Sequence, residues 1–299
     1  MESFTDALSL KVAVSLTAHL QLLQVLVGRD SYRHWCGGRL PARKLAGLAR
    51  KFGDVYPILR SDAGRAYDRT KGKACVRFLA YPDGDAIAWW LISTVGAGGL
   101  ADPASPDFKV AKDALRADGH LICQDYVLHF AHKKEANQVK DTRTDKMKTV
   151  LKNTSTWTWK LSDEAFSAAR AFINKLTEKL EYGDDGLPDG KRRVYGLRGY
   201  LLTQRRRPML SGVRTQVIEL HRYAHSVWGA VRSQWRGKNA WAVKRYGTFA
   251  GRLMPLNTVM HEHLPKLGRI KVYGDAPKTL ADLARDAPEA AAPRTNQAP

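Results

Sequence analysis

Two apolar runs, at 75–81 and 86–94, are joined by Pro82-Asp83-Gly84-Asp85. The Asp-Gly step supplies the positive φ that a tight hairpin needs, and both flanking runs are rich in β-branched, aromatic and aliphatic residues. A chain with this turn is committed to an antiparallel sheet, so the neighbouring segments are read for what they add to it. Leu8, Leu10, Val12, Val14 and Leu16 alternate with Ser9, Lys11, Ala13 and Ser15. That is the period-two pattern of a strand with one buried face. Thr17 is placed to cap a helix through Leu20, Leu23 and Leu26 or Val27 to Gly28, and Pro41 to open a second with Leu45, Leu48 and Phe52 ahead of Gly53. A loop containing Gly96, Gly98, Gly99, Pro103 and Pro106 leads to a short helix at about 108–116, and Gly119 precedes the apolar run 121–131.

The predicted order is βαββαβ over residues 1–132, an α+β class domain of ferredoxin-like type: an antiparallel sheet, helices on one face, the other face open. This order resembles the plan of RRM-type binders, relaxase and replication-initiator domains and CRISPR repeat-processing proteins. The resemblance is one of element order. The RNP1 consensus is not readable, so it implies a fold and no family. Residues 133–153 read as a basic linker or hairpin, 154–286 as a mainly helical basic region, and 287–299, rich in Ala and Pro, as a disordered tail. Within the basic region, 154–160 alternates with Trp157 and Trp159 on one side. Ser162 then caps a helix with Asp163 and Glu164 in its first turn and Phe166, Ala169, Ile173, Leu176 and Leu180 on its apolar side. The turn formers of 181–190 read as a loop.

Three widely spaced cysteines, Cys36, Cys75 and Cys123, argue against a disulfide framework and a CxxC zinc site, and point to a reducing, cytoplasmic setting. The apolar stretch 8–27 is interrupted by Lys11, His19 and two glutamines, which excludes both a signal peptide and a bilayer span. No membrane partner is expected.

Charge is distributed unevenly. Of the net +20, residues 191–252 supply +14, from fifteen Lys or Arg against one acid, Glu219. Such a surface repels itself unless it faces a polyanion, and nucleic acid is the predicted partner. Residues 212–236 read as a helix between Pro208 and Gly237. Val213, Val217, Leu220, Ala224, Val227, Val231 and Trp235 fall in one arc; Arg214, His221, Arg222, His225, Arg232 and Arg236 fall in the next. Arg205, Arg206 and Arg207 precede it as a candidate backbone clamp. Trp241 and Tyr246, interleaved with Arg236, Lys238, Lys244 and Arg245, are the candidates for stacking on bases. Trp228 and Trp235 lie on or beside the apolar arc and read as core.

Catalytic signals are thin. His225 with Tyr223 and Arg222 could serve a metal-free endoribonuclease. His261-Glu262-His263 aligns two imidazoles but has no further ligand in view, so no metal and no cofactor are assigned, and His263 stands only as a catalytic candidate. His129-Phe130-Ala131-His132 has one residue too many for an HUH nuclease, and Gly96-Ala97-Gly98-Gly99 has neither the P-loop nor the GxGxxG spacing. The sequence therefore reads as a DNA- or RNA-binding protein rather than an enzyme. The alternatives are a nuclease of endoribonuclease, replication or mobilisation type, and a scaffold holding an acidic protein partner.

Overall fold

The computed structural model describes residues 7–140, 147–178, 181–182, 188–238, 256, 264 and 266–285. In chain order the main elements are α1 (Leu16–Gly28), β1 (His34–Leu40), α2 (Leu45–Val55), α3 (Asp62–Thr70), β2 (Val76–Asp83), β3 (Ala86–Ser93), β4 (Lys112–Asp113), β5 (Leu121–Cys123), β6 (Tyr126–Lys140) and β7 (Met147–Leu161). There follow α4 (Asp163–Thr177), the two-residue strands β8 (Glu181–Tyr182) and β9 (Pro188–Asp189), α5 (Lys191–Gln204), α6 (Ser211–Lys238) and α7 (Leu280–Arg285). The chain is mixed α+β and divides into two units. The first comprises the described residues of Met1–Gln124, Leu128–Trp157 and Arg269–Pro299; the second comprises those of Asp125–Val127 and Thr158–Gly268.

Gly84 takes φ 65° and closes the expected hairpin, with Asp83 opposite Ala86 and Val76 opposite Ser93. The other edge of β3 pairs antiparallel with β1, and β4 adds to the far side of β1, giving the order β2-β3-β1-β4. Cys36, Val76, Phe78, Ala80, Ile87 and Leu91 turn to one face, where Leu45, Ala49 and Phe52 of α2 and Leu280 and Leu283 of α7 complete a core. The opposite face is not open, contrary to expectation. Its residues Leu79, Trp90 and Ile92 are buried, and His19 of α1 stacks on Tyr81 at 5.0 Å and tilts against Trp90 at 4.8 Å. The unbroken apolar run of β3 is the sign of a strand covered on both faces.

Several expected elements are corrected. The alternating segment 8–16 forms no strand: 8–9 turn, Lys11 makes a single bridge to Thr279, and Leu16 already begins α1; Leu8 and Leu10 carbonyls accept from Ala281 and Leu280, and Val12 and Val14 donate to Lys278 and Val272. Its hydrogen-bond partners lie at the other end of the chain, where no local pattern shows them. The helix begins at Leu16, because Ser15 rather than Thr17 caps it by accepting from the Ala18 N–H. Strand β1 was not expected, since Gly37 and Gly38 dilute its pattern. A Cβ on Gly37 would lie 2.6 Å from the Trp89 carbonyl oxygen, so the cross-strand approach requires glycine. Helix α3 was also missed. At 108–116 a single 3-10 turn, Phe108–Val110, precedes β4, whose hydrogen bonds go to β1 instead of to a helix. The run 121–131 is split by a turn at Gln124, φ 52°, into β5 and β6. Strands β6 and β7 extend into the basic segment 133–153, ending at Lys140 and starting at Met147. They are neighbours in one sheet, and Phe130 meets Trp157 while His132 meets Ser155, so the pair runs in opposite directions.

The three cysteines are free and buried, and burial pushes the Cys36 and Cys123 thiols up to about 12. Among the described residues no helix is long and apolar enough to cross a membrane.

His19 is 1% exposed, and desolvation lowers its pKa to about 3 from 6.5. The folded state therefore refuses a proton that the unfolded chain accepts. Stability from this group is complete above pH 6.5 and lost as pH falls towards 3, at about 1.4 kcal/mol per unit. Urea unfolding at pH 7 and pH 5 is expected to show wild-type protein losing about 2 kcal/mol more than His19→Gln. Equal losses would contradict a buried neutral imidazole.

Candidate nucleic-acid interface

The second unit is organised by the way α6 starts. Gly212 donates its N–H to Thr158 Oγ1 at 3.0 Å, and the Thr158 and Ser211 hydroxyls meet at 2.7 Å. The Gln216 amide takes both backbone groups of Leu161: its Oε1 accepts from the N–H at 2.6 Å and its Nε2 donates to the carbonyl at 3.3 Å. A Cβ on Gly212 would collide with the Trp159 carbonyl, so the helix enters at the one position where backbone can meet backbone. From there Leu220, Ala224, Trp228 and Trp235 of α6 close a core with Ala169 and Ile173 of α4 and Val194, Leu197 and Leu201 of α5. Helix α4 is as expected, with Ser162 accepting from the Ala165 N–H and Asp163 and Glu164 in the first turn. Leu180, expected on the same helix, lies outside the described residues.

The apolar arc of α6 is correct, but the cationic arc is displaced. His221, assigned to the charged side, is 4% exposed; burial lowers its pKa first, the nearby Arg205 guanidinium adds to this, and the nearby Leu201 carbonyl opposes it. Arg214 and Arg232 are half-buried at the shoulder of the packed stripe, and Arg222 and His225 are exposed. The buried sector is wider than the apolar residues alone indicate, and it takes in part of the charged arc. The side chains of Arg236 and Lys238, and all of Trp241, Lys244, Arg245, Tyr246 and His263, lie outside what is described.

The three arginines of the triplet have different surroundings. Arg207 is held: its Nε donates to Gln204 Oε1 at 2.7 Å, its Nη1 to the Tyr126 hydroxyl at 3.4 Å, and it lies 3.7 Å from Asp125. Arg205 is half-buried. Arg206 is exposed. The two described catalytic candidates, Tyr223 and His225, do not converge. Tyr223 donates its hydroxyl proton to Asn174 Oδ1 at 2.7 Å and carries the Arg170 guanidinium 4.3 Å over its ring. At ~100° per residue, Tyr223 and His225 lie about 160° apart around the helix axis. No cluster of three or more His, Cys, Asp or Glu able to hold a metal occurs among the described residues.

The sequence reading missed α5. Its fourteen residues contain no acid, and its exposed side carries Arg192, Tyr195 at 53% and Leu202 at 54%, with the half-buried Arg198 guanidinium 5.8 Å over the Tyr195 ring. Arg192, Tyr195 and Arg198 recur at three-residue steps on one flank of the helix, a signal hidden by Gly196 and Gly199. Phe172 of α4, 42% exposed, packs at 4.7 Å against Tyr200 of α5.

Comparison with protein-family profiles, with curated proteins and with solved structures gives no match in any of the three.

The two neighbouring arginines of the turn separate structure from surface. Arg207→Ala is expected to lower the unfolding free energy by about 1–2 kcal/mol through its lost partners. Arg206→Ala should stay within about 0.5 kcal/mol of wild type. Urea titration of both variants reads the difference.

Proposed function

We propose that the second unit binds DNA or RNA through phosphate contacts, with α5 and the following turn as its principal surface. The observation that carries this reading is the sign of the charge at the start of α5. The helix opens with Lys191-Arg192-Arg193, its first turn has no acid, and Gly190 provides no side-chain cap. Cations beside the positive end of a helix dipole cost about 0.3–1 kcal/mol each. An anion at this helix start relieves that cost, and a phosphate suits both the guanidinium groups and the backbone N–H groups of the first turn. Tyr195 and the exposed Arg206 and Arg222 extend the same chemistry, with aromatic surface for bases and arginines for the backbone.

For the first unit we infer the ferredoxin-like arrangement. The antiparallel order β2-β3-β1-β4 supports it, with β1 at His34–Leu40, helices between β1 and β2, and a 3-10 turn where the second crossover helix would stand. Three buried free thiols favour a reducing, cytoplasmic setting.

Binding to labelled single- and double-stranded DNA and RNA across a salt series tests the reading. The log-log slope should be steeper than about −3, and Arg192→Ala with Arg206→Ala should reduce it by about 1–2. A flat response overturns the proposal. Discrete cleavage products lost in His225→Ala would instead establish the nuclease alternative, and equal competition by poly-glutamate would establish a binder of acidic protein.

A further inference from the structure

The first unit contains a cleft of about 670 Å³ that no sequence pattern announces. Its volume is within the ~300–1,000 Å³ range of small-molecule sites. Four cations, Arg29, Arg33, Arg69 and Lys73, line it against one acid, Asp30. None of the four is ion-paired among the described residues. Arg69 spends one N–H on the Asp30 carbonyl at 3.4 Å, and Arg33 Nε is buried with no hydrogen-bond partner among the described residues. The C-terminus of α1, which ends at Gly28 in the same wall, contributes only about half a negative charge, so the cleft remains strongly positive.

The other component is aromatic. Phe130, 36% exposed, lies 5.3 Å from Trp157 at an interplanar angle of 58°, and both rings line the cleft. The Trp157 ring reaches the wall because residue 28 is glycine: a Cβ there would lie 2.9 Å from Trp157 Cδ1. Gln24 fixes the same strand by donating to the Trp157 carbonyl at 2.8 Å. Val95 and Leu115 leave 59% and 47% of their surface exposed in this space. At the rim Ser31 holds φ 62°, a left-handed conformation unusual for a residue other than glycine, and such strain concentrates at ligand sites.

An inorganic anion would use the cations and leave the rings idle, and an apolar ligand would cover the four cations without offering them an anion. The geometry points to a nucleotide-binding site in this cleft, with the base against Phe130 and the phosphate among Arg29, Arg33, Arg69 and Lys73. The ligand is a nucleoside 5′-phosphate unit, either free or as an unpaired residue of a strand. The site does not depend on the second unit, whose surface carries a separate proposal.

Calorimetric titration of the full chain with adenosine 5′-monophosphate, inorganic phosphate and a short 5′-phosphorylated oligothymidylate tests it. Saturable binding of the monophosphate is expected. Phe130→Ala should weaken it about tenfold while leaving phosphate binding unchanged. Lys73→Gln, at an exposed position that leaves the core intact, should weaken both. Binding of the oligonucleotide alone, with the same dependence on Phe130 and Lys73, assigns the unit to a strand; binding of the monophosphate assigns it to the free nucleotide. The Arg192→Ala, Arg206→Ala double variant should keep monophosphate binding, which separates this site from the second unit. No binding of either nucleotide ligand, or binding indifferent to Phe130, overturns the proposal.

Discussion

Strand β3 has to be covered twice, and the first unit is built to do so. Trp90 and Ile92 turn to one face, Ile87 and Leu91 to the other, and all four are less than a tenth exposed. Each side chain of this kind contributes roughly 1.5–3 kcal/mol when fully buried, so neither face can be left to solvent. Helix α2 and the C-terminal α7 close one side, and α1 closes the other with the His19 ring against Tyr81 and Trp90. The unit therefore needs its N-terminal segment and residues 269–285 together. The hydrogen bonds between Val12 and Lys278 and between Leu280 and Leu10 are how the two ends are held.

What could be read from the sequence follows the range of the determining interaction. The Asp83-Gly84 turn, the Ser162 cap and the apolar seam of α6 are fixed by residues within a few positions of one another, and each is found where expected. The segment 8–16 carries the correct period but takes its backbone partners from more than 250 residues away. Strand β1 is masked by the two glycines that allow it to approach Trp89 and Trp90. Helix α5 is masked by glycines of its own and by a first turn whose charges disfavour a helix. The cleft of the first unit could not be read at all: its cations and rings come from four separated stretches of chain.

The candidate interface shows a related limit. A helical wheel gives the angle of each residue but not the width of the buried sector. On α6 that sector extends over His221 and reaches Arg214 and Arg232, which leaves Arg222 as the arginine of the expected arc that is described and exposed. Within the Arg triplet, burial and partners divide three adjacent identical residues into a structural tether, an intermediate and a solvent-facing cation. Charge counted along a sequence overstates the charge a surface offers.

The buried thiols have a practical meaning. At neutral pH a thiol held near 12 has almost no thiolate, and Cys75, whose Sγ donates to the Arg65 carbonyl at 3.2 Å, is 2% exposed. For maleimide chemistry under native conditions the protein is expected to behave as though it had no cysteine. A single cysteine introduced on the exposed side of α5, or at the rim of the cleft, would carry a fluorophore or spin label without prior removal of the native three.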